Sequence, residues 1–189
     1  DLEVLNSRLT IVVPVHNMSG RLANLSEWLD EADSQNVSVI LVHDKSDDTT
    51  GTELLKLLER KNLLRISLIQ TDSQSPGLAR NCGIEVVDTP WFSFVDADDS
   101  VYVSSIMELL RETEISDCKI GIGSYVSCNL STSEETLVQP PAGNSDALAL
   151  HLAKKMGLWR FVLSTNSFGD IRFTNHKMGE DFLYINLVL

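Results

Sequence analysis

An α/β fold with a mostly parallel sheet, flanked by helices on both faces, is what this sequence predicts. Three observations carry that expectation. Continuous apolar, β-branched runs recur at 10–14, 37–42, 65–70 and 91–95, as strands buried on both faces do. Segments with helical spacing of apolar residues lie between them. The last run, Trp91 to Val95, empties directly into Asp96, Ala97, Asp98 and Asp99. In an open α/β sheet the carboxyl ends of the strands are where ligands bind.

The elements follow in order. Thr10-Ile11-Val12-Val13-Pro14 is a short buried strand closed by proline. Residues 21–32 place Leu22, Leu25, Trp28 and Leu29 on one helical face, and 37–42 form a second strand. His43 to Thr50 is a polar loop. Residues 52–61 are helical, with Leu54, Leu55, Leu57 and Leu58 inward and Asn62 as the terminator. Strand three spans 65–70. Ser75-Pro76-Gly77 is a turn that opens a helix through Val87, and 91–95 is the fourth strand. Beyond the carboxylates the pattern loosens. A helix is expected over 104–112, a strand over 119–126, a polar loop over 129–144 and a helix over 145–156. A short strand is expected over 171–173, and a helix from Gly179 onward. Repeated β-α-β order argues right-handed parallel crossovers.

The bulk properties set limits. A length of 189 residues suits a single domain, with a nucleotide-binding half over 1–99 and a more irregular half over 100–189. The net charge of −12 excludes the basic footprint of a nucleic-acid binder. It also requires that an anionic substrate be received by a metal, by amides or by local arginines. The three cysteines, Cys82, Cys118 and Cys128, have no zinc or redox spacing and read as reduced thiols of a cytosolic protein. No apolar run reaches the ~18 residues of a membrane span. The opening Asp1-Leu2-Glu3 lacks the basic start of a secretory signal. An abrupt start and an apolar ending are expected of a piece cut from a longer protein.

Four constellations carry the chemistry. Asp96 and Asp98 follow a buried strand, and like charges so close need a cation among them; a divalent metal with oxygen ligands is the simplest one. Asp99 fits helix capping as well as ligation. In His43-Asp44-Lys45-Ser46-Asp47-Asp48, Asp44 can accept a hydrogen bond from a base, whereas Asp48 suits a helix cap. In Gly77-Leu78-Ala79-Arg80-Asn81-Cys82-Gly83, Arg80 can meet either a phosphate or a crevice carboxylate bidentately. Met178-Gly179-Glu180-Asp181 opens a helix with two carboxylates, which alone would read as capping.

Together these pieces resemble glycosyltransferase family 2, which has the Rossmann-like GT-A fold. Ile11 to Asn17 is similar to the family's first strand and Pro-x-Tyr-Asn turn, with His16 in the tyrosine place. Val42 to Thr50 resembles its Val-Asp-Asp-Gly-Ser-x-Asp-x-Thr loop, with His43 and Lys45 as departures that leave the choice of nucleotide open. Gly77 to Gly83 resembles its Ala-Arg-Asn-x-Gly helix, Asp96-Ala97-Asp98 its metal-binding Asp-x-Asp, and Ile171-Arg172-Phe173 followed by Gly179-Glu180-Asp181 its late Phe…Gly-Glu-Asp element. The resemblance implies that Pro14, Val15 and Asn17 line the nucleoside pocket and that Asp44 binds the base, commonly uracil. It implies donor contacts from Arg80, Asp96 and Ala97, with Asp96 on the ribose. Asp98 would hold Mn²⁺ or Mg²⁺ against the diphosphate, and Asp181 would be the general base of an inverting, single-displacement transfer.

The partners so implied are a nucleotide-sugar donor, UDP-linked, and a saccharide or lipid-linked saccharide acceptor in bacterial polysaccharide synthesis. The place implied is the cytoplasm, at the inner face of the membrane where further segments attach the protein peripherally. Two other readings stay open. A nucleotidyltransferase would want a loop rich in glycine and basic residues after the first strand, and Pro14 to Arg21 has one glycine and one arginine. A non-catalytic nucleotide-sugar-binding module would not need Asp96, Asp98 and Asp181 together.

Overall fold

The computed structural model describes residues 7–61, 63–129, 131–143, 145–155, 157–175 and 179–189. The expected terminator Asn62, the loop and helix limits at Asn144 and Met156, the opening residues 1–3 and Met178 lie outside the described residues.

The elements are β1 (Leu9–Val15), α1 (Ala23–Ser34), β2 (Ser38–Asp44), α2 (Thr50–Lys61), β3 (Ile66–Thr71), α3 (Pro76–Ile84), β4 (Trp91–Phe94) and α4 (Val103–Ile115). Then come β5 (Ile120–Ile122), β6 (Tyr125–Asn129), β7 (Glu134–Val138), α5 (Ser145–Lys154), β8 (Phe161–Ser164), the single turn α6 (Thr165–Phe168) and α7 (Glu180–Val188). A six-stranded sheet has the order β3-β2-β1-β4-β8-β5. The pairs β1–β2, β2–β3 and β1–β4 are parallel, and β8 runs antiparallel to both β4 and β5. The expected mostly parallel sheet with helices on both faces is therefore present.

Strand periodicity divides the core. Leu9, Ile11, Val13 and Val15 of β1 face one side, where they pack with Leu25, Trp28 and Leu29 of α1, Leu54 of α2 and Leu110 of α4. Val12 faces the other, with Ala79 of α3, Phe92 and Phe94 of β4, Leu163 of β8 and Tyr184 of α7. Successive strand residues point to opposite faces, so a strand covered twice needs an unbroken apolar run. On the second face α3 lies very close to β1: a Cβ at Gly83 would stand 2.3 Å from Val12 Cγ1.

The second half corrects several expectations. The single strand expected over 119–126 breaks at Gly123 into β5 and β6. The polar loop over 129–144 contains β7, which pairs antiparallel with β6 in a separate two-stranded sheet. The third helix ends at Ile84, short of Val87. Residues 171–173 form no strand, and β8 supplies the sheet position instead. Asn81 explains the former: its side-chain Oδ1 accepts from Phe173 N–H at 2.8 Å and its Nδ2 donates to Phe173 O at 2.9 Å. An amide side chain thus makes the two bonds a neighbouring strand would make.

Candidate functional site

The parallel strands end on one side of the sheet. The chain crosses from β1 to β2 in one direction and reaches β4 in the other, so the switch point lies between β1 and β4. A cleft of about 780 Å³ opens there. Its walls come from five separate segments: Pro14, Val15 and His16 at the end of β1 and just after it; Asp44, Lys45 and Asp47 at and after β2; Ser75, Ala79 and Arg80 of α3 and its cap; Asp96, Ala97 and Asp98 after β4; and Glu180 with Asp181 of α7.

The loop after β2 is tied from several sides. Asn17 has a positive φ of 49°, and its Oδ1 accepts from Asp47 N–H at 2.9 Å while its own N–H donates to Ser46 Oγ at 3.0 Å. It braces the two turns and is absent from the cleft lining, in contrast to Pro14 and Val15. Asp48 accepts from the N–H and hydroxyl of Thr50 and from Ser19 N–H, the capping role open to it in the sequence. Asp44 is 3% exposed. It accepts from Ser73 N–H (2.7 Å), Ser73 Oγ (2.9 Å) and Ser75 N–H (3.0 Å). Its carboxylate therefore organises the loop entering α3 while lining the cleft. His43, in the aspartate place, shares a 3.0 Å hydrogen bond with Ser46, and burial lowers its pKa.

Arg80 is the centre of the charged wall. It is 4% exposed, and its Nη2 donates to Asp96 Oδ1 at 2.6 Å and its Nη1 to Asp181 Oδ1 at 3.0 Å. Glu180 stands 3.8 Å from the same Nη1. Of the two partners the sequence left open for Arg80, phosphate or carboxylate, the structure shows carboxylates. The guanidinium lies 5.5 Å from the centre of the Phe173 ring, and Phe173 stacks on Tyr184 at 4.0 Å. Phe173 and Asn81 are site-supporting residues that the sequence reading assigned no task. Their only signal was their place inside the Phe…Gly-Glu-Asp and Ala-Arg-Asn patterns.

Three carboxylates thus surround one guanidinium. Burial pushes the Asp181 pKa up; Arg80 opposes that rise, and Glu180 and Asp96 add to it. Asp99 is pushed up to about 6 by burial and by repulsion from Asp96 and Asp98. Asp98 is exposed at the cleft edge.

The residues present suit a divalent metal of one kind. Among the described residues no group of three or more His, Cys, Asp and Glu side chains could enclose a metal ion by itself. A hard cation shared between one protein carboxylate, diphosphate oxygens and water needs no such cage. Asp98, with repulsion still unrelieved at Asp99 beside it, fits that arrangement.

Among the described residues no helix is long and apolar enough to cross a membrane. A family model for glycosyl transferase family 2 matches residues 10–177, which includes the cleft segments up to Asp98 and stops just before Glu180 and Asp181. The chain is 30% identical over 174 residues to the amylovoran biosynthesis glycosyltransferase AmsB of Erwinia amylovora, covering 87% of this chain and 58% of that protein. Two solved structures share the fold. S. aureus TarS 1–349 in complex with UDP-GlcNAc superposes with a TM-score of 0.68 at 18% identity, over 96% of this chain and 53% of that one. The mannosyltransferase PcManGT from Pyrobaculum calidifontis, in complex with GDP-Man and Mn²⁺, does so with a TM-score of 0.65 at 14% identity, over 97% and 52%. The chain thus spans little more than half the length of these relatives. With a family match across most of its length and a GT-A sheet ending in this acidic cleft, the chain belongs to glycosyl transferase family 2.

Proposed function

We propose that the chain carries the catalytic centre of an inverting glycosyltransferase. The donor is a nucleotide sugar, UDP-linked, and the acceptor is a saccharide or lipid-linked saccharide in polysaccharide biosynthesis. One observation carries the reading: the cleft at the switch point gathers Asp44, Asp96, Asp98 and Asp181 from three distant segments.

Each side chain has a task in that reaction. Pro14, Val15 and the backbone of Ala97 wall the nucleoside. Asp44 has three of its acceptor positions filled by Ser73 and Ser75, and a carboxylate offers about four, which leaves one for a base N–H. Asp96 gives one oxygen to Arg80 and the other to a ribose hydroxyl. Asp98 holds Mn²⁺ or Mg²⁺, which when bound stabilises the negative charge gathering on the departing diphosphate. Asp181 stands on α7, an element apart from the β4 end. Its second oxygen accepts the proton of the acceptor hydroxyl as that oxygen attacks the anomeric carbon, and the configuration inverts. A carboxylate pushed up by burial is a better proton acceptor than an ordinary one.

A thermal-shift panel tests the reading. UDP, GDP and CDP are compared with and without Mn²⁺ or Mg²⁺. At a hundredfold excess over Kd a ligand adds about 2.7 kcal/mol to the folded state, about 5–11 °C for a chain of this size. A metal-dependent rise with UDP supports the donor site. No rise across the panel removes it.

A further inference from the structure

We propose that Arg80 is a positioning residue that couples the two sides of the cleft, its guanidinium holding Asp96 on the donor side and Asp181 on the acceptor side in one fixed arrangement. The inference rests on the reading above and adds a mechanical link to it.

The three residues meet only in the folded chain. Arg80 lies 16 positions from Asp96 and 101 from Asp181, and each belongs to a different element: α3, the β4 exit and α7. Separate nitrogens serve the two carboxylates, at 2.6 and 3.0 Å. Such a division needs the planar fork of arginine; a lysine ammonium is one compact point charge. The fork is also set from its flat side, because the Phe173 ring lies beneath it and stacks in turn on Tyr184 of α7. Its Nε is buried without a partner, so among the described residues the two terminal nitrogens make all of its hydrogen bonds.

α7 needs this tether. It follows Gly179, which adopts the left-handed conformation at φ 80°, and it leaves Phe182, Leu183, Leu187 and Leu189 at least 40% exposed. Tyr184, Ile185 and Val188 hold it to the core. Among the described residues, the Arg80–Asp181 hydrogen bond, with Glu180 3.8 Å from the same nitrogen, ties its first turn to the donor side. A ribose or diphosphate that immobilises Asp96 therefore immobilises Arg80, and through it Asp181. Proton acceptance is aligned when the donor is seated.

The test compares wild type with Arg80→Lys, which keeps the charge and much of the stem. Amide hydrogen exchange is followed in residues 180–188 with and without UDP plus Mn²⁺, and UDP affinity is measured by calorimetry. In wild type, UDP should slow exchange in α7 roughly fivefold to tenfold, the size of one ordinary hydrogen bond. In Arg80→Lys, UDP should still bind but leave α7 exchange unchanged. If the variant retains the UDP-dependent slowing, Arg80 is structural only and the proposal is wrong, even where α7 exchanges faster throughout.

A second arm needs no ligand: the carboxyl of Asp181 is titrated by ¹³C NMR in both proteins. Arg80 favours the ionised form against Glu180, Asp96 and burial, so losing its fork should raise the Asp181 pKa. An unchanged titration overturns the link. Should wild type bind no UDP, the donor reading falls by itself and the titration decides on Arg80. If Arg80→Lys does not fold, Phe173→Leu removes the ring beneath the guanidinium without touching a charge, and must weaken the same α7 response.

Discussion

Replacing Asn81 by alanine unties the segment that leads into α7. The amide makes two opposed hydrogen bonds to the backbone of Phe173, at 2.8 and 2.9 Å. Phe173 itself is 4% exposed, so water cannot freely replace both. A hydrogen bond lost to water costs about 0.5–1.5 kcal/mol, and a buried group left dry costs about 1–3 kcal/mol. Asn81 is half-buried, which admits water to part of the site; a total of about 2 kcal/mol is the expected loss. For a chain of this length that is about 4–8 °C in Tm. Urea denaturation should show a lower midpoint with an unchanged slope, since the surface exposed on unfolding is the same. Asn81→Asp separates this from loss of bulk. It keeps an acceptor for Phe173 N–H but turns a second oxygen toward Phe173 O, so it should be no more stable than alanine at neutral pH. A wild-type midpoint in both variants would refute the account.

Other outcomes follow from the same geometry. Gly83→Ala should destabilise by about 1–3 kcal/mol, read by denaturation, because its Cβ would stand 2.3 Å from Val12 Cγ1; an unaffected midpoint would mean that α3 slides easily. Asp98→Ala should abolish Mn²⁺-dependent UDP binding in calorimetry and leave the metal-free fold at least as stable, since it removes one of the charges repelling Asp99. Asp181→Asn should spare UDP binding and lower transfer on the order of 10²–10⁴-fold, measured in a chain long enough to hold the acceptor. The same variant has a pH signature. Burial raises the folded pKa of Asp181, so the folded state binds that proton more tightly than the unfolded chain. The Asp181 contribution to wild-type stability is then greatest below the unfolded value and declines as pH rises through the folded one. Asp181→Asn should lose that decline, giving a stability at pH 7 no lower than that of wild type.

The first half of the fold was legible because each strand announces itself locally. β1, β2 and β4 are covered on both faces, which forces unbroken apolar runs such as Thr10 to Val15. β8 went unassigned although it too is a short, fully buried apolar run. Phe161–Ser164 is four residues long, and its partners Trp91, Phe92 and Ile120 lie far back along the chain. β7 reads as loop because Glu134, Glu135 and Thr136 face solvent. Residues 171–173 look like a strand because Ile171 and Phe173 are apolar and alternate, yet the pairing they would need is supplied by the Asn81 side chain. In the site, Asp44, Asp96 and Asp98 could be located from their places at strand ends, whereas Asp181 was singled out only through the Gly-Glu-Asp resemblance. What sequence could not give was who holds whom: that Asp44 secures Ser73 and Ser75, or that Arg80 is shared between Asp96 and Asp181. Those are facts of approach in space, set by α3 and α7 meeting across the cleft.

The insertion of β8 between β4 and β5 has a consequence for biogenesis. β1 through β4 are complete once Phe94 has left the ribosome, but one side of β4 then has no neighbour. β5 cannot fill the gap, because in the finished sheet it pairs with β8 and not with β4. The open edge of a strand is a template for pairing with other chains, and here it stays open until Phe161–Ser164 has been synthesised. The half that carries Asp96 and Asp98 is therefore expected to be sticky during translation. Expressing residues 1–99 alone should yield aggregates or a chaperone client rather than a smaller nucleotide-binding protein.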